Sequence, residues 1–560
     1  MNPYKLEAWL QLGIGLVSLI IINSLAQRYF FRIDLTEEKR YTITEASKNI
    51  LSELEGDVYI DVYLEGELPA NFRRLQRSVR DMLDEFNAYA DDQINYKFVD
   101  PGEARSNRSR NQFYQFLADK GLKPINLQVK EQGLSQERLV FPGAIVNFRG
   151  KEAVANLLKR ANTGNPEQAI NQSVETLEYA LISAIKSLTT VNRKNIGYVV
   201  GHDELETQYL GGLEELLSSQ YTLFNVDLTK ETQLAKYDAL MVCKPRERFS
   251  ETEQFALDQY VMNGGNLLLF IEANRIAEDS ISLPNNVAVP YETGLEDLLF
   301  QYGIRINKNL VQDLQSATYP VVVGQSGNRP RTRDLPWPFF PLTTRYTKHP
   351  IVRNLDALYF RYASSLDTIQ VNDIRRTPLV YSSPNARIVP SPANVSLNQL
   401  RNLPPQSAFS NGPFPLVYLL EGKFTSIYEN RLLPKGLENF PFKATGKPAK
   451  ILVCGDGNLL KSEINSNTQE SYSLGFEPYS QQQYANGDFI VNVFNYLFNE
   501  EGIIQARKKK LSVRPLDQSE VTGKKVQWQV INILLPIILV SGFGGIKYAL
   551  RKKQNESKRA

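Results

Sequence analysis

The sequence predicts a mixed α/β protein whose water-soluble bulk is flanked by two transmembrane helices. Two uncharged runs near the ends, Ala8–Gln27 and Val526–Ile546, are each long enough to cross a bilayer, because roughly 20 apolar residues span it. Between them, short apolar strands alternate with amphipathic helices. The average is that of a soluble protein, with a mean hydropathy of −0.32 and 22% charged residues over 560 positions. A chain of that length exceeds one hydrophobic core, so two or three domains are expected between the anchors.

The first anchor is placed at 8–28, with Trp9 and Tyr29 at its edges, where amphipathic rings favour the headgroup level. The alternative is a cleaved signal peptide, since Ser24-Leu25-Ala26 fits a small-x-small site; the weakly basic start and the long apolar core favour a retained anchor. The second anchor is placed at 526–547. Trp528 marks its outer edge, Pro536 lies mid-span, and Lys547, Arg551, Lys552 and Lys553 close it. The tail 548–560 is short and basic, which assigns it to the cytoplasm. Two spans then place both termini in the cytoplasm and Arg32–Lys525 outside it. That is a two-pass protein of the inner membrane with its bulk periplasmic.

Composition narrows the function classes. Lys and Arg total 64 against 61 Asp and Glu, and much of the net +3 lies in the tail. No basic face with interleaved aromatics is seen, so no nucleic-acid partner is expected. Two cysteines, Cys243 and Cys454, exclude a disulfide scaffold, and two histidines exclude a His-rich metal site. No cofactor, no metal and no catalytic residue is assigned.

The first soluble block is placed at 32–190. It opens with the alternating strand Asp57–Leu64. A helix follows over Asn71–Ala90, with Phe72, Leu75, Val79, Met82, Phe86 and Tyr89 at helical spacing and an Arg-rich opposite face. A strand at Ile94–Val99 and a polar helix from about Glu103 to Lys120 come next. Further strands are read at Ile125–Val129, Arg138–Phe148 and Glu152–Leu157, the last two joined by a hairpin turn at Arg149-Gly150-Lys151. Pro166 opens a helix to Leu188. This order resembles a thioredoxin-like layer, but it holds no cysteine, so thiol redox chemistry is excluded.

The second block is placed at 195–505. Strands at Ile196–Val200, Tyr221–Leu228, Ala239–Cys243 and Asn266–Ile271 alternate with helices at Leu213–Ser219 and Glu251–Met262. That rhythm implies a parallel sheet covered on both faces, of the flavodoxin or amidotransferase-like kind. It resumes at Lys450–Cys454 and the helix Phe489–Leu497, leaving 284–445 as a long irregular insertion. Within it, the proline-rich Leu335–Pro341 is read as an ordered loop rather than regular structure. A stalk at 506–525 leads to the second anchor.

His202-Asp203-Glu204 follows the first strand of this block, at the end where open parallel sheets place ligands. A carboxylate pair beside an imidazole suits cation binding or acid–base work; the plainer reading is a polar strand-end loop. Cys243 ends a strand, yet the elbow where amidotransferase-like sheets carry a nucleophile reads Ile271-Glu272-Ala273, so thiol hydrolysis is not expected. Gly455-Asp456-Gly457 lacks the lysine and spacing of a phosphate loop and reads as a tight turn. Lys508, Lys509, Lys510 and Arg514 form a basic juxtamembrane stretch that reads first as a solvated stalk, the alternative being contact with lipid phosphates or a partner.

With these residues in view, the chain resembles the gliding-motility ABC-transporter auxiliary family, GldG. The matching stretches begin with Arg32-Ile33-Asp34-Leu35-Thr36, Arg40-Tyr41-Thr42-Ile43, Leu68-Pro69-Ala70, Phe141-Pro142-Gly143-Ala144 and Leu177-Glu178-Tyr179. They continue with Gly201-His202, Tyr260-Val261, Gly264-Gly265, Gly455-Asp456, Asn492-Val493-Phe494-Asn495, Val513-Arg514-Pro515-Leu516 and Leu535-Pro536. The resemblance implies a non-catalytic subunit beside a separate ABC permease and a cytoplasmic ATPase, with outer domains contacting substrate, envelope or motility proteins. It also implies a second block of the type seen in an intraflagellar-transport protein. The absence of a Walker motif places ATP hydrolysis in another chain. The rival reading is an envelope enzyme or small-ligand sensor using the His202 loop.

Overall fold

The computed structural model describes residues 13–15, 17–18, 21, 43–103, 106–122, 124–131, 134–158, 166–189, 193–218, 220–231, 233–326, 329–353, 355–401, 403–437, 440–466, 468–498 and 518–557. The chain divides into two compact units, Met1–Lys509 and Lys510–Ala560.

The larger unit begins with helix α1 (Glu45–Ser52), strand β1 (Val58–Val62), helix α2 (Ala70–Tyr89) and strand β2 (Ile94–Phe98). Helix α3 (Asn107–Asp119) and the hairpin β3 (Ile125–Glu131) and β4 (Leu134–Val140) follow. Strands β5 (Gly143–Phe148) and β6 (Lys151–Asn156) and helix α4 (Pro166–Thr189) complete this region. Four strands form one sheet in the order β2-β1-β5-β6, with β1 parallel to β2 and antiparallel to β5. The stretch expected as one strand over 138–148 is two, because Pro142 interrupts the ladder. The turn between β5 and β6 is Arg149-Gly150, both at positive φ (51° and 78°), the geometry that matches strand twist in a two-residue hairpin. Helix α2 buries Phe72, Leu75, Val79, Leu83 and Phe86. The expected stripe is off by one position at its middle, where Leu83 enters the core and Met82 is half-buried.

The second sheet has eight strands. Its parallel part comprises β7 (Lys194–Val200), β8 (Tyr221–Asp227), β9 (Ala239–Cys243) and β10 (Asn266–Phe270), with helices α5 (Thr207–Ser218) and α6 (Glu251–Met262) between strands. After α7 (Glu296–Gln301) come a long ribbon, β11 (Ser316–Ser326) and β12 (Arg329–Thr343), then β13 (Arg345–Tyr346), β14 (Ile374–Tyr381), β15 (Pro415–Thr425) and β16 (Thr445–Cys454). Helix α8 (Asn486–Leu497) follows. The sheet order is β13-β14-β15-β16-β10-β9-β7-β8. Strands β8, β7, β9, β10 and β16 run parallel, and β15, β14 and β13 extend them antiparallel.

Two expectations are corrected here. Residues 284–445 are not merely irregular: they supply three antiparallel strands to the main sheet. The proline-rich Leu335–Pro341 is strand rather than loop, inside β12. Pro336 lies opposite Thr318 and Pro320 opposite Asp334, so both prolines share one class of cross-strand pair. The pairing holds because that class needs no N–H toward the partner.

Alternate strand residues serve opposite cores. Leu268, Phe270, Leu452 and Cys454 pack toward α5 and α8, whereas Leu267, Leu269, Ile451 and Val453 pack toward α6. Both faces are dry, which is why these strands read as unbroken apolar runs.

The smaller unit is helix α9 (Gln518–Ser557), with Pro536 inside it. Within it, Val530–Ala549 has a mean hydropathy of 1.9 and no buried residue, and among the described residues it alone is a helix long and apolar enough to cross a membrane. The anchor expected at 8–28 falls largely outside the described residues; Gly13–Gly15, Val17, Ser18 and Ile21 within it are helical.

Candidate functional site

In chain order the five parallel strands run 2-1-3-4-5 across the sheet, so the order reverses between β7 and β9. In open α/β sheets, ligands enter at the carboxyl ends of the strands beside such a reversal. Here the loops leaving β7 and β9 are sewn together. The Arg246 and Glu247 amides donate to the His202 carbonyl at 2.8 and 2.9 Å, and the His202 ring stacks on Phe249 at 3.6 Å between centroids.

Of the three residues singled out in this loop, two are internal. His202 is 3% exposed, with Nδ1 3.1 Å from Glu204 Oε1 and Nε2 3.1 Å from Glu253 Oε1. The Nε2 contact is a close charge pair without hydrogen-bond alignment. Glu204 also accepts from the amides of Gly201 and His202. Glu253 closes the capping box at the start of α6, accepting from the Ser250 amide and hydroxyl at 2.8 and 2.6 Å. Burial pulls the imidazole pKa down, but the Glu204 and Glu253 carboxylates against its two ring nitrogens outweigh it and raise it above the ordinary value. Asp203 alone of the three is exposed, at φ 54° and 4.0 Å from Arg246. His202, Glu204 and Glu253 bracket the ring instead of converging on a point beside it, and among the described residues no cluster is arranged to hold a metal.

A second cluster sits at the ends of β9, β10 and β16, and the sequence reading missed it. Lys244 follows β9 at φ 55°. Its ammonium lies 2.7 Å from Glu278 Oε1, 3.1 Å from Glu272 Oε1 and 2.6 Å from Asn458 Oδ1. Lys461 reaches the other Glu278 oxygen at 3.0 Å. Asn458 donates to Glu272, and Arg361 pairs with Glu463. Asp456 caps the turn Gly457–Leu460 through the Asn458 amide at 2.7 Å and takes the Arg361 amide at 2.6 Å. Burial, with Glu272 nearby, pushes the Asp456 carboxyl up to about 7. Glu272 is likewise raised by burial. Burial also opposes the charge on Glu278, but Lys244, Lys461 and Arg361 prevail and hold it well below the usual range. The signal in the sequence was a charge directly after an apolar strand, Cys243-Lys244 and Ile271-Glu272; the partners come from residues up to 214 positions away.

The chemistry this edge offers is limited. The thiols of Cys243 and Cys454 are fully buried, and burial raises both well above their ordinary value, leaving no thiolate nucleophile. Every charged head at the Lys244 cluster meets an opposite charge or a hydrogen bond from this same chain. Lys508, Lys509, Lys510 and Arg514 lie outside the described residues.

Several stretches that carried the resemblance have structural roles. Glu178 accepts from the Thr44 amide and hydroxyl and from the Ser47 hydroxyl, tying α4 to the cap of α1. Asn492 donates to the Ile351 carbonyl, and Asn495 accepts from the Tyr221 hydroxyl.

Comparison with known proteins gives the following. The chain is 19% identical over 559 residues to an uncharacterized protein of Borreliella burgdorferi, covering 98% of each. Among solved structures it is similar to the mmIFT52 N-terminal domain, with 16% identity, a TM-score of 0.30, and coverage of 55% of this chain and 97% of that one. A ThuA-like protein from Parabacteroides merdae matches with 12% identity and a TM-score of 0.26, over 55% and 91% of the two chains. Residues 37–147 match a domain of unknown function (DUF7088). Residues 193–493, more than half of the chain and nearly the whole eight-stranded region, match the auxiliary family described as an ABC-type uncharacterized transport system, and the chain belongs to that family.

Proposed function

We propose that the chain is a non-catalytic, membrane-anchored auxiliary subunit of an ABC transport complex, acting beside a separate permease and a separate ATPase. One observation carries the non-catalytic reading. The carboxyl ends of the parallel strands, where an α/β enzyme would admit substrate, are cross-linked by the chain itself, through His202 after β7 and through Lys244, Glu272, Glu278 and Asp456 beyond β9, β10 and β16. Family membership supports the transport role, and the apolar helix Val530–Ala549 supports membrane association.

The finer reading rests on the sequence. Anchors at 8–28 and 526–547 would hold the domains 32–190 and 195–505 on the periplasmic side of the inner membrane, with a stalk at 506–525 and a cytoplasmic tail. The strand orders of the two sheets support the thioredoxin-like and flavodoxin-like assignments. The resemblance to GldG adds that the complex serves gliding motility. His202-Asp203-Glu204 is then a folding element whose single exposed member, Asp203, faces a partner or solvent.

Purification of the tagged full-length protein from its native membrane tests the role. Permease and ATPase subunits are expected to accompany it; recovery of the protein alone overturns the reading. Protease added to spheroplasts is expected to cut between residues 32 and 525, and protection of that region would sink the two-pass topology. Loss of gliding on deletion checks the motility assignment.

A further inference from the structure

The two ends of the eight-stranded sheet differ. Its carboxyl end is cross-linked by the chain's own side chains, whereas its amino end is a rim of cations. The β10–β16 pairing starts at Leu267 and Ile451, so Thr445–Lys450 of β16 extend beyond it. Strand β15 accompanies this extension, with Lys423 opposite Pro448 and Glu421 opposite Lys450. The rim carries cations on both of its sides. On the α6 side, Lys447 lies against Gly264, and the Lys443 ammonium donates to Asn263 Oδ1 at 2.6 Å. On the α8 side, Lys450 donates to the Tyr496 carbonyl at 2.8 Å and Arg375 pairs with Glu421. Lys423, two residues from Glu421, shares that side.

Lys423, Lys443 and Lys447 are exposed, and none of the three has an ion-pair partner among the described residues. The described carboxylates at these strand ends are Asp238 and Glu421, each already paired, and Asp373. Like charges gathered on one rim hold a positive potential that attracts an anionic surface. The large apolar side chains here, Met262, Ile374 and Phe424, are buried, so the rim offers charge without apolar contact. A protein interface is built around a desolvated apolar core from which lysine is depleted, whereas an ammonium suits a phosphate as a compact point charge. The chain also departs for its apolar helix from this end. Helix α8 finishes beside Lys450 and Lys194, whose ammonium lies 5.9 Å from the Phe498 ring centroid, and only residues 499–517 separate Phe498 from α9.

We propose that this rim, centred on Lys423, Lys443 and Lys447, docks on the phosphates of an anionic phospholipid surface. The short covalent link to α9 raises the local concentration of lipid at the rim, so individually weak phosphate contacts by several lysines hold it there. The inference rests on the membrane-anchored part of the reading above.

The test uses the full-length protein with a photo-crosslinking residue at the exposed Thr445, reconstituted in vesicles of phosphatidylcholine alone or of an equal mixture with phosphatidylglycerol. Crosslinking to lipid is expected to be about tenfold greater in the mixed vesicles, and high salt is expected to remove that gain. The triple variant Lys423→Gln/Lys443→Gln/Lys447→Gln is expected to lose the gain while keeping its melting temperature. Should the variant unfold, the two vesicle compositions and the salt dependence decide alone. A lower melting temperature with undiminished crosslinking would reduce the lysines to complements of the α6 C-terminal dipole and overturns the dock. Equal crosslinking in both vesicles, or labelling of a protein subunit instead of lipid in native membranes, also overturns it while leaving the auxiliary role standing. Recovery of the protein outside the vesicle fraction sinks the membrane-anchored reading as well.

Discussion

The four-stranded region, residues 43–189, and the eight-stranded region, residues 193–498, are both α/β, yet they handle charge in opposite ways. In the first, charges ride outside: Arg73, Arg77 and Arg80 of α2 are exposed, and the buried carboxylates are few, chiefly Glu85 and Glu178. In the second, Lys244, Glu253, Asp258, Glu272, Arg361 and Asp456 are all buried. At the carboxyl ends of the larger sheet His202, Lys244, Glu272 and Asp456 are buried by the chain's own loops, and a charge buried there must find an internal partner. The edge that enzymes of this architecture use for substrates here fastens loops together.

The contrast can be broken most directly at Lys244. Lys244→Met leaves Glu272 and Glu278 facing each other without their shared cation, and a loss of about 3–5 kcal/mol is expected, read by chemical unfolding of the detergent-solubilised chain. Adding Glu272→Gln should return part of that loss. A Lys244→Met protein as stable as the parent would show that the cluster is not a fastening.

His202 is the next test. His202→Gln removes a cation held between two carboxylates, with an expected loss of about 2 kcal/mol. The pH dependence carries the sign. Because the folded-state pKa of His202 is raised, its stabilisation is complete below about 6.5 and is lost as pH rises through the folded value. The gap in melting temperature between parent and His202→Gln should therefore narrow from pH 6 to pH 9. A gap that widens with pH would contradict the imidazolium between Glu204 and Glu253.

Smaller effects are expected in the first region. Gly150→Ala puts a side chain at φ 78° in the β5–β6 turn, for about 1 kcal/mol. Arg77→Ala on the exposed face of α2 should change stability by less than about 0.5 kcal/mol. Across both regions, Cys243 and Cys454 should resist alkylation until the protein unfolds, as seen by mass shift; rapid native labelling would reopen thiol chemistry.

Much of this was legible beforehand. Helix α6 and strand β9 were read with their observed limits, because Glu251 opens an acidic first turn and Ala239–Cys243 is continuously apolar. The hairpin at Arg149-Gly150 was read from its turn residues. The strand through Pro336 was not, since proline is neutral or ruinous in a ladder according to which edge it faces, and only the pairing register decides that. The Lys244 cluster was missed for a related reason: a lone charge after an apolar strand looks the same whether it meets water or a carboxylate 34 positions away.

By itself, the order of residues determined most strands and helices outside 284–445, roughly which stripes seek burial, and that uncharged runs near the ends suit a bilayer, because these depend on neighbours within a few positions. Tertiary structure alone decided that 374–381 and 415–425 join the main sheet, that His202 turns inward while Asp203 turns out, and that Lys244, Glu278 and Asn458 meet. Those outcomes depend on contacts between distant segments, whose free energy is set by packing and desolvation rather than by local pattern.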